Sequence, residues 1–395
     1  MKLPIPAWVG TEDGKALLAA LDAEAGTSRL VGGSVRDPLL GLEAADIDLA
    51  TALAPHEVMA RLRAAGLKAF PTGLAHGTVT AVAGGIKAEV TTLRHDVTTD
   101  GRRAEVVFTD DWQADAARRD FTINALYARL PGGEIDDWFG GLEDLAARRV
   151  RFIGDPMARI AEDHLRILRF FRFSSRFGQG MDAEGLAACA ARANDLMALS
   201  RERVALELRG LLLVADPLPV LVLMIEHGIW RPVLPEIGRQ DALGRLAVLM
   251  ASEAALGLAP DWRRRLAALL PADAKMADAV AARLRLSNAE RMRVARAVRP
   301  AASMTVYAAA WAVGADVLLD RLLMAGRVED ARQLLAWERP RMPVSGKDFV
   351  ARGVGPGPDV AARLVRFERE WVAAGFPMDA DAVATLVDRA MAAAL

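Results

Sequence analysis

Cysteine is almost absent from the chain. A single residue, Cys189, in 395 excludes an internal disulfide and points to a reducing, cytoplasmic compartment. Histidine is scarce as well, and the five present show no Cys/His spacing of the kind a structural zinc site needs. Long apolar runs are missing: the longest, Leu218 to Ile225 with Pro219 inside it, is too short to span a bilayer. The opening MKLPIPAWVG lacks the apolar stretch of a secretory signal, so neither membrane insertion nor secretion is expected. No Walker sequence occurs, and the glycines of Gly355 to Pro358 follow no strand signal, which sets aside a dinucleotide fingerprint. Charge of one sign is not in excess either. A net charge of −1 leaves room for a basic face balanced by acidity elsewhere, so local counts decide.

What the chain has is apolar material, 53% of its residues, enough for large cores and, by length, two to four domains. In the first 150 residues the short runs RLVGG, DIDLAT, HGTVTAVAGG, IKAEVTTLR and AEVVFT stand between Gly, Asp and Thr boundaries. They read as strands of an α/β unit. From about Ile160 onward these signals stop, and Leu, Ala and Arg recur at three- and four-residue spacing, which predicts helices to the end. The fold class is therefore α+β, with breaks near Asp216–Pro219, Gly257–Pro260 and Arg339–Pro343. The expected spans are 1–150, 151–215, 216–300 and 301–395. No internal repeat or low-complexity tail is seen.

Two features carry chemistry. In DIDLA, Asp46 and Asp48 lie two apart in an apolar β-like run, so on a strand both carboxylates leave the same face, roughly 6–7 Å apart at Cα. Such a pair can clamp divalent cations, and Mg²⁺ suits it best, because that ion takes one or two carboxylates and completes its shell with phosphate oxygens and water. Two acids on an exposed strand are also commonly just solvated. Upstream, RLVGGSVRD puts Gly32, Gly33 and Ser34 between an apolar strand and a helical start. A phosphate can approach such a backbone closely, with a hydroxyl from Ser34 and charge neutralisation from Arg36. A plain turn explains the glycines but not Arg36 beside a later acidic pair.

At this point the sequence resembles the class II tRNA nucleotidyltransferases and bacterial poly(A) polymerases, whose signature GGSVRD followed by DIDL is similar to. EVTTLRHD, RRDFTINALY, WFGGLEDL, EDHLRILRFFRFSSRFG and LSRERVALEL follow in family order over about residues 29–210, and RLRLSNAER and PVSGKDFVARGVGPGP look like the CCA-adding branch. The resemblance implies a polymerase-beta-like nucleotidyltransferase head (1–150), a neck with a nucleotide-selecting helix (151–215), a body (216–300) and a tRNA-binding tail (301–395), arranged as a seahorse. It implies Mg²⁺ on Asp46 and Asp48, and nucleotide contacts from Gly33, Arg36, Arg119, Asp163, Arg166, Arg169 and Arg172. Glu89 is a candidate third carboxylate, or a surface ion pair with Lys87. The substrates implied are tRNA, CTP and ATP, with no protein partner called for.

Asp163 and Arg166 are three apart, which makes them neighbours on one helical face. Cytosine and adenine both present an amino donor beside a ring-nitrogen acceptor, whereas guanine and uracil present the reverse. An ionised Asp only accepts and an Arg only donates, so the pair can match C and A without a template. The bland alternative is a surface i, i+3 salt bridge. Leu165, Ile167, Leu168, Phe170 and Phe171 on the same stretch read as core. The polar stretch HDVTTDGRRAEVVFTDDWQADAA around Gly101 is expected to be mobile and to reach over the site; the family uses such a loop in switching from CTP to ATP. Residues 261–300 hold ten Lys/Arg against four Asp/Glu. Arg263, Arg264, Arg265, Arg291, Arg293, Arg296 and Arg299 are candidates for the tRNA backbone, or a solvated helical surface. The competing functions are a poly(A) polymerase, an enzyme adding only CC or only A, and an RNA-binding protein without turnover.

Overall fold

The computed structural model describes residues 2–99, 104–237, 240–300 and 304–392 and divides the chain into two compact units, Met1–Pro235 and Glu236–Leu395. The first unit carries β1 (Ser28–Val31), β2 (Ile47–Thr51), β3 (Lys68–Gly73), β4 (Thr78–Ala83), β5 (Ile86–Thr92), β6 (Arg94–Thr99), β7 (Ala104–Phe108), β8 (Leu126–Arg129) and β9 (Ile135–Asp137). Seven of them form one sheet in the order β3-β4-β5-β2-β1-β8-β9, while β6 and β7 pair with each other. Within the large sheet β2 and β5 run parallel and the other pairs are antiparallel.

Residue pattern explains the layering. On β4 and β5, Val79, Ala81, Ala83, Ala88 and Val90 are buried at alternate positions, the signature of strands with one face in a core and one facing outward. Helices Glu12–Ala20 and Pro55–Ala64 cover the inner face with Leu17, Leu18, Val58 and Leu62. β1 is buried along its whole length, as a central strand must be, and it delivers the chain to the glycine turn at Gly32.

The next layer is helical. The helix Leu165–Phe177 turns Leu165, Ile167, Leu168, Phe170 and Phe171 inward, as their spacing predicts. Phe170 stacks on Phe152 at 5.2 Å, and Phe152 meets Phe121 at 5.0 Å. Phe121 belongs to RRDFTINALY, so this aromatic cluster ties that motif to the long helix; each such pair contributes about 0.5–1.5 kcal/mol beyond its buried area. In the second unit the described residues are helical throughout, and Phe349, Phe367 and Trp371 centre one core. The expected breaks at Gly257–Pro260 and Arg339–Pro343 fall between helices, whereas Asp216–Pro219 runs into the first turn of the helix Leu218–Glu226.

Four strands, β3, β6, β8 and β9, were not expected, whereas β7 is the AEVVFT run. β3 is largely exposed and contains Pro71, and β8 lies inside an apolar run whose periodicity is equally helical. The stretch expected as a loop instead contains β6, β7 and the helix Trp112–Ala117, because HDVTT and AEVVF are rich in β-branched residues; Gly101 lies outside the described residues.

Candidate active site

β1 ends at Val31, and Gly32 turns the chain with φ +59°, a left-handed conformation that a residue with a Cβ adopts only under strain. The helix Gly33–Leu39 starts at once. Ser34 is buried, and its hydroxyl donates to the Asp46 carbonyl (3.0 Å) and accepts from the Asp48 N–H (2.7 Å). The hydroxyl expected at a phosphate is therefore committed to the backbone that carries the two aspartates. Arg36 is held by Asp37 (2.7 Å) and Asn124, with its guanidinium 4.1 Å from the Phe177 ring centroid. Burial pulls its pKa down against the pull of Asp37.

These elements wall a cavity of about 800 Å³. Gly32, Gly33, Arg36, Asp46 and Asp48 form one side. Arg119, Arg169 and Arg172 form another, so most of the expected nucleotide contacts meet in one space. Arg119 is fixed by Tyr127 (Nε to Oη, 2.8 Å) and Asp115 (3.2 Å). Arg169 is fixed by Asp120 at 2.7 Å, and Arg172 by Glu207 at 2.5 Å. Despite burial, Asp120 sits below its ordinary pKa because Arg169 and Asn124 hold its ionised form. Sequence reasoning missed Arg94, Arg118, Arg176, Asp120, Asn124 and His76, which line the same space. Asp120 and Asn124 were readable within RRDFTINALY, and Arg176 continues the spacing of Arg169 and Arg172 along the helix; His76 carried no signal.

Asp48 lies on β2 and Asp46 one residue before it, while Glu89 is the register partner of Asp48 on β5. Glu89 is exposed, forms no ion pair with Lys87 among the described residues, and does not line the cavity. The Asp48 carboxyl is pushed up by burial first and then by the charges of Glu89 and Asp46, with Arg119 and Arg36 offsetting only part. Repelling carboxylates on the wall of an arginine-lined cavity are a donor set that a divalent cation completes. Among the described residues no group of three or more His, Cys, Asp or Glu forms a closed cage.

Asp163 and Arg166 are placed differently from expectation. The helix starts at Leu165, so Asp163 lies on the preceding link in extended backbone and does not share a helical face with Arg166. Its carboxylate pairs with Arg203 at 2.8 Å. Arg166 is buried and donates to Glu162 (2.6 Å) and to the carbonyls of Arg159 and Arg118. Neither lines the cavity.

The chain was compared with known proteins. A family described as "Poly A polymerase head domain" matches residues 28–151, and one described as "Probable RNA and SrmB- binding site of polymerase A" matches 180–240. The mitochondrial CCA tRNA nucleotidyltransferase 1 of Mus musculus is 32% identical over 98% of this chain and 93% of its own length. A CCA-adding enzyme of Levilactobacillus brevis is also 32% identical, over 90% and 92%. This chain belongs to the CCA-adding enzyme and poly(A) polymerase head family. Among solved structures, the Bacillus stearothermophilus CCA-adding enzyme in complex with CTP superposes with TM-score 0.70 at 25% identity, covering 96% of this chain and 98% of that one. The Thermotoga maritima CCA-adding enzyme complexed with tRNA shares the fold, with TM-score 0.71 at 18% identity over 98% and 96%.

The arginines expected at the tRNA backbone lie in the second unit, and the structure sorts them. Arg264 and Arg265 are buried, Arg265 against Glu253 at 2.8 Å and Arg264 within 3.5 Å of Glu253 and 3.7 Å of Asp320. They are core ion pairs and correct the expectation of an RNA-facing triplet. Arg263 pairs with Glu290, Arg291 with Asp278, and Arg293 with Asp320 and Asp261. Arg296 and Arg299 are exposed and have no side-chain partner among the described residues. Their charges instead press on Arg321, whose guanidinium caps the Arg296 carbonyl. No described helix is long and apolar enough to cross a membrane.

Proposed function

We propose that the chain completes the 3′ end of tRNA by adding C, C and A from CTP and ATP, with Mg²⁺ held by Asp46 and Asp48. The observation that carries this is the convergence of both aspartates with Arg36, Arg119, Arg169 and Arg172 on one cavity, in a chain aligned nearly end to end with CCA-adding relatives. Bound there, the metal supplies charge neutralisation on the triphosphate and activation of the attacking hydroxyl. The protein's part is positional. The Gly32–Gly33 turn admits the phosphates to backbone range, the arginines hold their charge, and Ser34 fixes the spacing of Asp46 and Asp48 through their backbone. Glu89 supports this pair from β5. Asp163 and Arg166 read the base after exchanging their present partners. Head (1–150), neck (151–215), body (216–300) and tail (301–395) describe this division of labour. A reducing, cytoplasmic location accords with the one free, buried cysteine, Cys189.

The test is incubation of the protein with tRNA lacking its CCA, Mg²⁺ and each labelled nucleotide, with products resolved at single-nucleotide length. Addition of C, C and A followed by arrest is expected. An unlimited A ladder would identify a poly(A) polymerase, a stop after two cytidines or one adenosine a partial enzyme, and no addition a binding protein.

For tRNA capture we propose Arg296 and Arg299, the two candidates not already neutralised. Replacing both by Ala is expected to flatten the dependence of log K on log salt by about 2, since each lost phosphate contact lowers the slope by roughly one. The KM for CTP should not move. Arg291→Ala, which removes a cation already paired with Asp278, serves as the control; equal effects from both would remove the patch from the interface.

A further inference from the structure

Asp115, on the helix Trp112–Ala117, is 1% exposed and touches no part of the cavity. Four groups nevertheless converge on its carboxylate. Arg119 donates from Nη2 at 3.2 Å, Arg118 from Nε at 2.9 Å, the Tyr127 hydroxyl at 2.5 Å, and the Arg94 backbone N–H at 3.1 Å. Tyr127 closes a triangle by accepting from Arg119 Nε at 2.8 Å. Its ring is in turn held edge-on by Trp112 at 5.6 Å, and Arg29 stacks over Trp112 at 3.8 Å.

The consequence is directional. With Nε and Nη2 taken on one side, the third nitrogen of Arg119 is left facing the glycine turn. Nη1 lies 3.7 Å from where a Cβ on Gly32 would sit. A guanidinium is planar and rigid, so two fixed nitrogens determine where the remaining donors point. The same carboxylate also holds the first residue of β6, and with it the base of the β6–β7 ribbon. Although burial works against ionisation, Arg119 and then Arg118 bring the Asp115 pKa below its ordinary value, so the acceptor is charged at neutral pH.

We propose that Asp115, with Tyr127 as its relay, is the positioning residue that aims Arg119 at the triphosphate of the incoming nucleotide. This rests on the assignment of the cavity to the nucleotide. A positioning residue acts only through the group it positions, so its removal should have no further effect once that group is gone.

The experiment is a double-mutant cycle on CCA addition, with KM for CTP and for tRNA lacking its CCA measured separately and melting temperature followed alongside. Asp115→Asn is expected to raise the KM for CTP about tenfold with the tRNA KM unchanged, and Tyr127→Phe to raise it about threefold. In an Arg119→Ala background each should add less than about twofold. Full penalties persisting without Arg119 would overturn the proposal. If Asp115→Asn does not fold, the Tyr127→Phe and Arg119→Ala cycle decides alone. Should Arg119→Ala raise the KM for CTP while neither other variant does, the nucleotide site stands and the positioning role falls. If Arg119→Ala itself leaves that KM unchanged, both fall.

Discussion

Asp48→Asn is expected to slow nucleotide addition by at least about a thousandfold, roughly 4 kcal/mol of transition-state stabilisation, while tRNA affinity stays within about twofold. The substitution preserves volume and leaves the β2 backbone, including the Asp48 N–H bonded to Ser34, in place. What changes is charge. In the free protein the ionised Asp48 is opposed by burial, by Glu89 and by Asp46. A carboxyl whose folded pKa is raised costs stability once pH exceeds that pKa, so an uncharged amide relieves the cost at neutral pH. The melting temperature in EDTA should accordingly stay level or rise, which separates lost chemistry from lost fold. A variant that keeps activity within tenfold of the parent, or that melts lower in EDTA, would place the catalytic charge elsewhere.

How much of this was legible beforehand depended on whether a function lies in local sequence or in a meeting of distant segments. Asp46 and Asp48 were candidates because residues two apart on a strand share a face and because the GGSVRD motif lies just upstream, although β2 begins at Ile47 and leaves Asp46 just outside it. Arg36, Arg119, Arg169 and Arg172 were readable through their motifs, although nothing in the sequence showed that Asp37, Asp115, Asp120 and Glu207 would hold them. Asp37 and Asp115 are sequence neighbours of the arginines they hold, whereas Asp120 and Glu207 come from elements distant from Arg169 and Arg172, and a single chain offers no register between those. The bonds of Ser34 to the backbone of Asp46 and Asp48 were not legible, because a hydroxyl in a glycine turn suits a phosphate as well as a backbone amide. Arg264 and Arg265 failed for the opposite reason. Their run of three arginines looks like surface, yet Glu253, upstream on the preceding helix and buried, draws two of them inward. Of the ribbon, β7 was readable in AEVVFT, whereas β6 was missed because the polarity of HDVTT outweighed its β-branched content.

The gap between expectation and structure at Asp163 bears directly on how a base is chosen. Asp163→Ala is expected to reduce discrimination between CTP and GTP or UTP by about ten- to a hundredfold, because an acceptor matched to an amino group and covered by the bound base contributes about 1–3 kcal/mol of selectivity. In the free protein that acceptor is occupied by Arg203, and Arg166 by Glu162. The Arg203 pair is substantially exposed, with side chains 45% and 34% accessible. Pairs of that kind contribute only about 0–1 kcal/mol, so a correct base can displace Arg203 at little cost. A guanine or uracil offers no compensating bonds, and the resting pair re-forms in preference. Selection then occurs as the edge is assembled, by exchange of partners, rather than on a preformed template. Arg203→Ala separates this from a structural role. It should leave discrimination intact and, by freeing Asp163, lower the KM for CTP slightly. If instead Arg203→Ala reproduces the full loss seen with Asp163→Ala, the carboxylate matters as an anchor for Arg203 and the base is read by other groups. Misincorporation assays with each nucleotide alone, on tRNA lacking its CCA, distinguish the two outcomes.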